Sequence, residues 1–379
     1  MKIFYWSPFF TNVATIKAVV RSAETLVKFP DPNKYKVSLI DTIGEWDAYN
    51  NIINQKISII KLSKIKLLNY LPKDSFIKSR ISYFIIFFWN FFKLKGLINK
   101  EKPNFLIIHL MTSLPIFLTT FFKSDTKIIL RISGLPKINL IRYLFWKMYA
   151  NKIYKITCPT QSTYDFLISK NIFNKDKIYI LSDPIIDMND YLSKKKEILN
   201  FKFSKDKKYL IAIGRLTKQK NFELLINFFY KVSNKYSEFE LIIIGEGEEN
   251  IKLKKLAHKL NIDKKIYFLG YQDNVFKYLR SVECFILTSL WEDPGFVLVE
   301  AALSNLPIIS SKCPIGPEEI IRENGYLFQN GDLNSLFLKF EEFLSSDKDV
   351  IYKNKLTLKK RIKKFTLFHH YKKLIQILN

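Results

Sequence analysis

Cysteine, histidine and acidic residues are all scarce in this 379-residue chain. The three cysteines, Cys158, Cys284 and Cys313, show no metal or redox spacing and no disulfide framework, which fits a reducing compartment. Cys284 stands in an apolar run, where a buried thiol is the expected reading. Four histidines, His109, His258, His369 and His370, leave little room for a histidine metal site, and no Ser-His-Asp triad is evident. The Asp347-Lys-Asp349 pair follows a helix end rather than a core strand, so no metal is expected there. The most apolar run, Ile81–Phe92, is shorter than the ~20 residues a bilayer span needs. Ser7-Pro8 breaks the amino-terminal apolar stretch too early for a signal peptide, so Lys2–Trp6 reads as a first β-strand. No repeat is apparent. The absence of zinc, helix-turn-helix and RNA-recognition patterns argues against nucleic acid as a partner.

What is abundant is positive charge. Sixty-one Lys and Arg face 35 Asp and Glu, a formal net charge of +26. The bias toward Lys, Ile and Asn is one that an AT-rich genome produces by itself, so placement says more than the total. Residues 51–100 hold ten Lys or Arg against the single acid Asp74, and Ile81–Phe92 lies among them. Bulky apolar and aromatic residues flanked by lysines suit an interfacial helix on an anionic leaflet. A core helix with a solvated basic flank is the alternative. The expectation is a cytoplasmic protein, peripheral at the inner face of the cytoplasmic membrane, touching an anionic surface through residues 51–100.

Apolar content of 48% is ample for packed cores, and the length suits two domains. Apolar strand patterns alternate with amphipathic helical ones: Lys2–Trp6, Val37–Asp41, Phe105–Leu110, Lys127–Ile132, Lys155–Pro159 and Lys177–Leu181 as strands, with helices over Ala14–Val27, Asn139–Ala150 and Ser162–Ser169. This is an α/β series with a mostly parallel sheet. The polar, Lys-rich stretch 191–208 reads as a linker between domains at 1–190 and 209–349, with a basic helical segment at 350–379.

Two segments carry chemistry. In Trp291-Glu-Asp-Pro-Gly-Phe-Val-Leu-Val-Glu300, two carboxylates bracket a Pro-Gly break between a strand and a helix. A helix start offers unpaired N–H groups and partial positive charge, suited to phosphate or sugar oxygens. Glu292 precedes that start and Glu300 follows it by more than a turn. In Gly214-Arg-Leu-Thr-Lys-Gln-Lys220, Arg215 and Lys220 fall in a strand-to-helix turn, where Arg can bind a diphosphate bidentately and Lys adds a point charge. Two surface glutamates and a solvated basic loop are the plain alternatives.

Together these segments resemble the retaining GT-B glycosyltransferases that carry a G-R-(short)-K turn and an E-x7-E motif (glycosyltransferase family 4-like, of the bacterial surface-polysaccharide type), matched by Gly214, Arg215, Lys220, Glu292 and Glu300. Leu241–Gly247, Ile266–Tyr271, Leu306–Ser310, Gly316–Ile320 and Asn324–Phe328 extend the resemblance over most of the second half. It implies a fold of two Rossmann-like domains, their parallel sheets facing an interdomain cleft. The first would bind the acceptor, the second the nucleotide sugar, and the carboxyl-terminal helix would pack back on the first. It implies metal-independent transfer of a hexosyl unit from a UDP- or GDP-linked sugar, with no other cofactor. Arg215 and Lys220 would hold the diphosphate, and Glu300 the ribose. Glu292, with N–H groups around Gly295, Phe296 and Val297, would orient the sugar, and Tyr271 would meet the base. Glu292, Arg215 and Lys220 are thus the expected catalytic set. Asp293 and Pro294 replace the Gly and Phe many relatives carry, so sugar contacts there are expected to differ. The implied acceptor is a glycan or lipid-linked glycan of cell-surface polysaccharide (lipopolysaccharide or capsule) biosynthesis. The alternatives are a non-catalytic binding protein of the same fold and a sugar-nucleotide 2-epimerase.

The first half departs from the family pattern. Thr11 and Asn12 stand where relatives carry a glycine-rich loop and can offer polar groups or a helix cap. His109 ends a strand, Arg131 stands at the end of the next and Ser133 just past it, where many relatives carry a histidine. These five are the acceptor or cleft candidates.

Overall fold

The structure, a computed structural model, describes residues 1–10, 14–29, 34–72, 76–199 and 201–379, with the side chains of Ala14 and Phe76 also left out of account. Thr11 and Asn12 lie outside the described residues. The chain forms two compact units, Met1–Ile185 with Phe365–Asn379, and Ile186–Lys364.

Unit 1 begins with β1 (Lys2–Trp6), α1 (Ala14–Lys28), β2 (Lys36–Asp41), β3 (Ser58–Lys61) and α2 (Phe76–Glu101). It continues with β4 (Phe105–Ile108), α3 (Ser113–Phe121), β5 (Lys127–Arg131), α4 (Leu140–Tyr149), β6 (Lys155–Cys158), α5 (Gln161–Ser169) and β7 (Ile178–Ile180). All pairings are parallel, in the order β3-β2-β1-β4-β5-β6-β7. A parallel sheet covered by helices has no wet face, so its strands read as unbroken apolar runs rather than alternating ones. β4 (Phe-Leu-Ile-Ile) is buried at every residue.

Unit 2 opens with α6 (Met188–Lys196), then β8 (Lys208–Ile213), α7 (Phe222–Lys235), β9 (Phe239–Ile244), α8 (Asn250–Lys259), β10 (Ile266–Phe268) and α9 (Phe276–Leu279). Next come β11 (Cys284–Leu287), α10 (Phe296–Leu303), β12 (Ile308–Ser311), α11 (Gly316–Ile321), β13 (Tyr326–Phe328), α12 (Leu333–Ser345) and α13 (Lys348–Arg361). Its sheet is again parallel, ordered β10-β9-β8-β11-β12-β13. The strand order of each sheet reverses beside its first strand, next to β1 and next to β8. In open α/β sheets ligands bind outside the carboxyl ends of the strands at such a point.

Two boundaries differ from the sequence reading. The stretch 191–208 is not a free linker, because α6 folds into unit 2. Tyr191 is buried, its ring 5.0 Å edge-on from Phe276 and its hydroxyl donating to the Leu303 carbonyl at 3.2 Å. Residues 350–379 are two helices rather than one. α13 belongs to unit 2, held by Arg361–Glu323, and α14 (Leu367–Leu378) belongs to unit 1, packed on α1. Asp347 caps α13, its carboxylate accepting from the Asp349 N–H at 2.7 Å.

α2 is longer than its central apolar run. Ile77–Glu101 is, among the described residues, one helix long and apolar enough to cross a membrane by length and composition alone, its most apolar 18-residue window reaching a mean hydropathy of 1.4. One face of it is part of the unit 1 core, through Ile86, Leu94 and Ile98.

Candidate active site

The site in unit 2 is built on the ends of β8 and β11. After Ile213 the chain passes through Gly214 and exposed Arg215 into a short 3-10 turn, Lys218–Lys220, before α7 starts. Close packing sets the path of this loop. The Gly214 N–H donates to the Ile244 carbonyl at 2.9 Å, and the Leu216 N–H to Glu246 at 2.8 Å. Gly245, at φ +137°, lies so close that a Cβ there would stand 1.9 Å from the Gly214 carbonyl oxygen. A side chain at Gly245 therefore requires the loop to move.

After β11, Leu290 and Trp291 run along the same turn. The Leu290 N–H donates to the Gln219 carbonyl at 2.8 Å, and the Gln219 amide donates to the Trp291 carbonyl at 2.8 Å. The Asn330 amide adds a bond to the Leu290 carbonyl at 2.9 Å. These contacts bring Glu292 back under Lys220. The Lys220 ammonium meets Glu292 Oε1 at 2.6 Å, with side chains 13% and 5% exposed. The same oxygen accepts from Ser289 Oγ at 2.6 Å, and Thr288 Oγ1 donates to the Lys220 carbonyl at 3.0 Å. Two residues with separate roles by resemblance are one buried ion pair, formed across 72 positions of sequence.

Beyond Glu292 the chain turns through Gly295, in the left-handed region, into α10. The start of α11 is pressed against this turn, where a Cβ on Gly316 would stand 1.8 Å from the Pro294 carbonyl oxygen. Phe296 and Val297 form the first turn of α10, whose leading N–H groups have no acceptor within the helix. Glu300 follows on the second turn, half-buried. Tyr271 is exposed, its N–H donating to Glu246 Oε1 at 3.3 Å. Burial, then the Glu292 carboxylate, pushes the nearby Cys313 thiol up to about 11, so it stays protonated. Arg215 is exposed, as is Lys218, and no hydrogen bond or ion pair engages its guanidinium among the described residues. A short basic turn with a free guanidinium, a buried Lys–carboxylate pair and a helix start suits an anionic ligand with polar hydroxyls.

Gln219, Ser289, Thr288 and Asn330 went unnoticed in the sequence. Each acts through a neighbour's backbone or carboxylate, and only Gln219 lies inside a recognisable motif, at a position that motif leaves open.

The unit 1 candidates have a different character. His109 follows the end of β4, buried, with neither ring nitrogen hydrogen-bonded. Burial first, then Arg131 and His370, holds its pKa well below the usual value, so the imidazole is neutral. Arg131, at the end of β5, is buried and committed to unit 1: its guanidinium pairs with Asp183 and donates to the Leu181 carbonyl. The guanidinium is thus engaged within unit 1. The Ser133 hydroxyl is buried without a partner among the described residues. His109, Arg131, Ser22 and His370 line a small cavity with room for about one water. His370, from α14, bonds Ser22 Oγ at 2.9 Å and the Ser182 carbonyl at 2.8 Å.

Comparison with known proteins agrees with this picture. Residues 193–365 match the family model described as Glycosyl transferases group 1. An uncharacterized glycosyltransferase of Methanocaldococcus jannaschii is 34% identical over 249 residues, 61% of each chain. The N-acetylgalactosamine-N,N'-diacetylbacillosaminyl-diphospho-undecaprenol 4-alpha-N-acetylgalactosaminyltransferase of Campylobacter jejuni is 30% identical over 151 residues, 39% of this chain and 40% of that protein. The matched part thus spans about three fifths of the first of these curated relatives and two fifths of the second. Among solved structures, Anabaena HepE in complex with UDP superposes with a TM-score of 0.73 over 99% of both chains, at 11% identity. The chain therefore has the GT-B fold, and its match over residues 193–365 and its curated relatives support the glycosyl transferases group 1 family.

Proposed function

We propose that this protein is a retaining, metal-independent glycosyltransferase that moves a hexosyl unit from a UDP- or GDP-linked sugar to a glycan or lipid-linked glycan in cell-surface polysaccharide biosynthesis. The observation that carries the reading is Arg215, exposed and unengaged beside the buried Lys220–Glu292 pair at the strand-order reversal of unit 2. A guanidinium there can take two oxygens of a diphosphate and stabilise the charge that grows as the sugar–phosphate bond breaks. Lys220 adds a second cation close by and fixes Glu292. Glu292, with the N–H groups of Gly295, Phe296 and Val297, orients the sugar. Glu300 holds the ribose hydroxyls, and Tyr271 lies against the base.

UDP is the ligand named for the Anabaena protein, and a diphospho-undecaprenol glycan is the acceptor in the Campylobacter enzyme's name. Both support the reading by likeness. A lipid-linked acceptor also fits a protein peripheral at the inner face of the cytoplasmic membrane, touching anionic lipid through residues 51–100. On the acceptor side, buried His109 and the paired Arg131 shape unit 1 from within.

The test is product analysis. The protein is given UDP- and GDP-linked sugars with a lipid-linked glycan and chelator present, and the new linkage is read by NMR. An anomeric configuration equal to the donor's, formed by wild type and lost in Glu292→Gln, is expected. An inverted product, or a Glu292→Gln variant as active as wild type, would refute the assignment.

A further inference from the structure

α2 is apolar on two opposite faces. Its inner face presents Ser82, Ile86, Asn90, Leu94 and Ile98 to unit 1. On the opposite side Ile77, Ile81, Phe84, Phe88 and Phe92 recur at steps of three or four residues, so they form one stripe along the helix. All five are exposed, Phe92 to 79%. An amphipathic surface helix turns a polar face outward, and α2 does not.

α4 repeats the arrangement. It buries Trp146 and Tyr149, while Leu140, Ile141, Leu144 and Met148 form a second exposed stripe at helical spacing. α3 bridges the two helices, with Phe117 6.0 Å from Phe87 of α2 and Phe121 6.2 Å from Tyr149 of α4. Burial, and then Arg80 of α2, lower the pKa of Arg142 of α4.

The charge around both stripes has one sign. α2 carries Lys78, Arg80, Lys93, Lys95 and Lys100, and its only acid is Glu101 at the last residue. α4 carries Arg142 and Lys147 and no acid. A protein partner of ordinary composition explains the apolar stripes but not this uniform sign. An anionic bilayer explains both: the aromatics and leucines enter the acyl boundary while the cations reach the headgroups.

We propose that α2 and α4 together form a two-helix docking face for an anionic lipid surface, with Leu140, Ile141, Leu144 and Met148 as its second inserting element. The inference deepens the membrane-facing part of the function proposed above and rests on it for its purpose. Its chemistry is independent of the transfer site. α2 lies on the bilayer rather than across it, because its inner face is already part of the protein core.

The experiment is flotation of the full chain with vesicles of phosphatidylcholine alone or mixed equally with phosphatidylglycerol. The variants are Leu140→Ser/Ile141→Ser/Leu144→Ser and Phe84→Ser/Phe88→Ser/Phe92→Ser. Exposed positions leave the fold intact, which unchanged circular dichroism and melting temperature would verify. Wild type should float with the mixed vesicles only, and less at high salt. Either triple variant should partition at least about tenfold more weakly, since one buried Leu or Phe side chain is itself worth roughly that factor. Flotation of the α4 variant equal to wild type would overturn the proposal. So would failure to bind either vesicle, or a wild-type dimer in light scattering that the α4 variant splits without any change in flotation. UDP and GDP titrations on the same samples keep the readings apart, because loss of nucleotide binding alone would refute the transferase function and leave the lipid face standing.

Discussion

Removing the Lys220 ammonium is the sharpest perturbation available at the site. The Lys220→Met variant keeps the length of the side chain and deletes its charge. The 2.6 Å pair is nearly sealed from water, with 13% and 5% of the two side chains exposed, so solvent screens it weakly. Breaking a buried pair from one side typically costs about 3–5 kcal/mol, because the other charge is left without a counter-ion. Ser289 still donates to Glu292 Oε1 at 2.6 Å, and one hydrogen bond to a charged group offsets roughly 1.5–3 kcal/mol. The net expectation is about 1–3 kcal/mol. For a unit of this size that lowers the melting temperature by roughly 2–12 °C. The assay is calorimetry on wild type, Lys220→Met, Glu292→Gln and the double variant. The double variant should recover at least about 1.5 kcal/mol relative to the sum of the singles, as contacting partners do. Additivity within about 0.5 kcal/mol would mean that the two groups are not paired, and the reading of the site would fall with it.

Two further outcomes follow from the fold. His370 is buried, with burial first and then Arg131 and His369 pushing its pKa down to about 3 against bonding to Ser182, so the unfolded chain takes the proton first. Stability is therefore present above pH 6.5 and is lost as pH falls toward 3, by about 2 kcal/mol at pH 5. Urea unfolding should show the gap between wild type and His370→Gln shrinking by that amount from pH 7.5 to 5, and a constant gap would refute the assignment. Gly245→Ala places a methyl 1.9 Å from the Gly214 carbonyl oxygen at a positive φ. It should cost at least about 2 kcal/mol and weaken nucleotide binding by moving the Gly214–Arg215 turn. A melting temperature within a degree of wild type would contradict this.

Much of the fold was legible because burial on both faces of a parallel sheet leaves plain marks. β9 is six residues buried at every position, and such runs between helical patterns point to one architecture. β3 escaped notice because Ser58–Lys61 is short, half-exposed and bounded by polar loop. α6 reads as linker because three lysines close it and only Met188, Tyr191 and Leu192 are apolar. It is held instead by one buried tyrosine and by backbone carbonyls taking bonds from Asn274 and Arg280. At the site, residue types were visible and partnerships were not. Lys220 and Glu292 were both singled out, yet that they form one pair depends on loops 72 positions apart. Arg131 looked available for a ligand until Asp183, 52 positions on, claimed it. Composition marked residues 51–100 as basic and apolar, but only the exposed stripe of α4 shows where that surface continues.

The central claim is that Arg215 grips the diphosphate of a nucleotide sugar. Isothermal titration of UDP and GDP into wild type and Arg215→Ala, with chelator present, tests it most directly. Arg215 is exposed and unengaged, so the variant should melt with wild type. A charge-assisted hydrogen bond contributes roughly 1.5–3 kcal/mol, so the account predicts one nucleotide bound by wild type and held about ten- to a hundredfold more weakly by the variant. Equal affinity in both proteins, or no binding of either nucleotide to folded wild type, would contradict it.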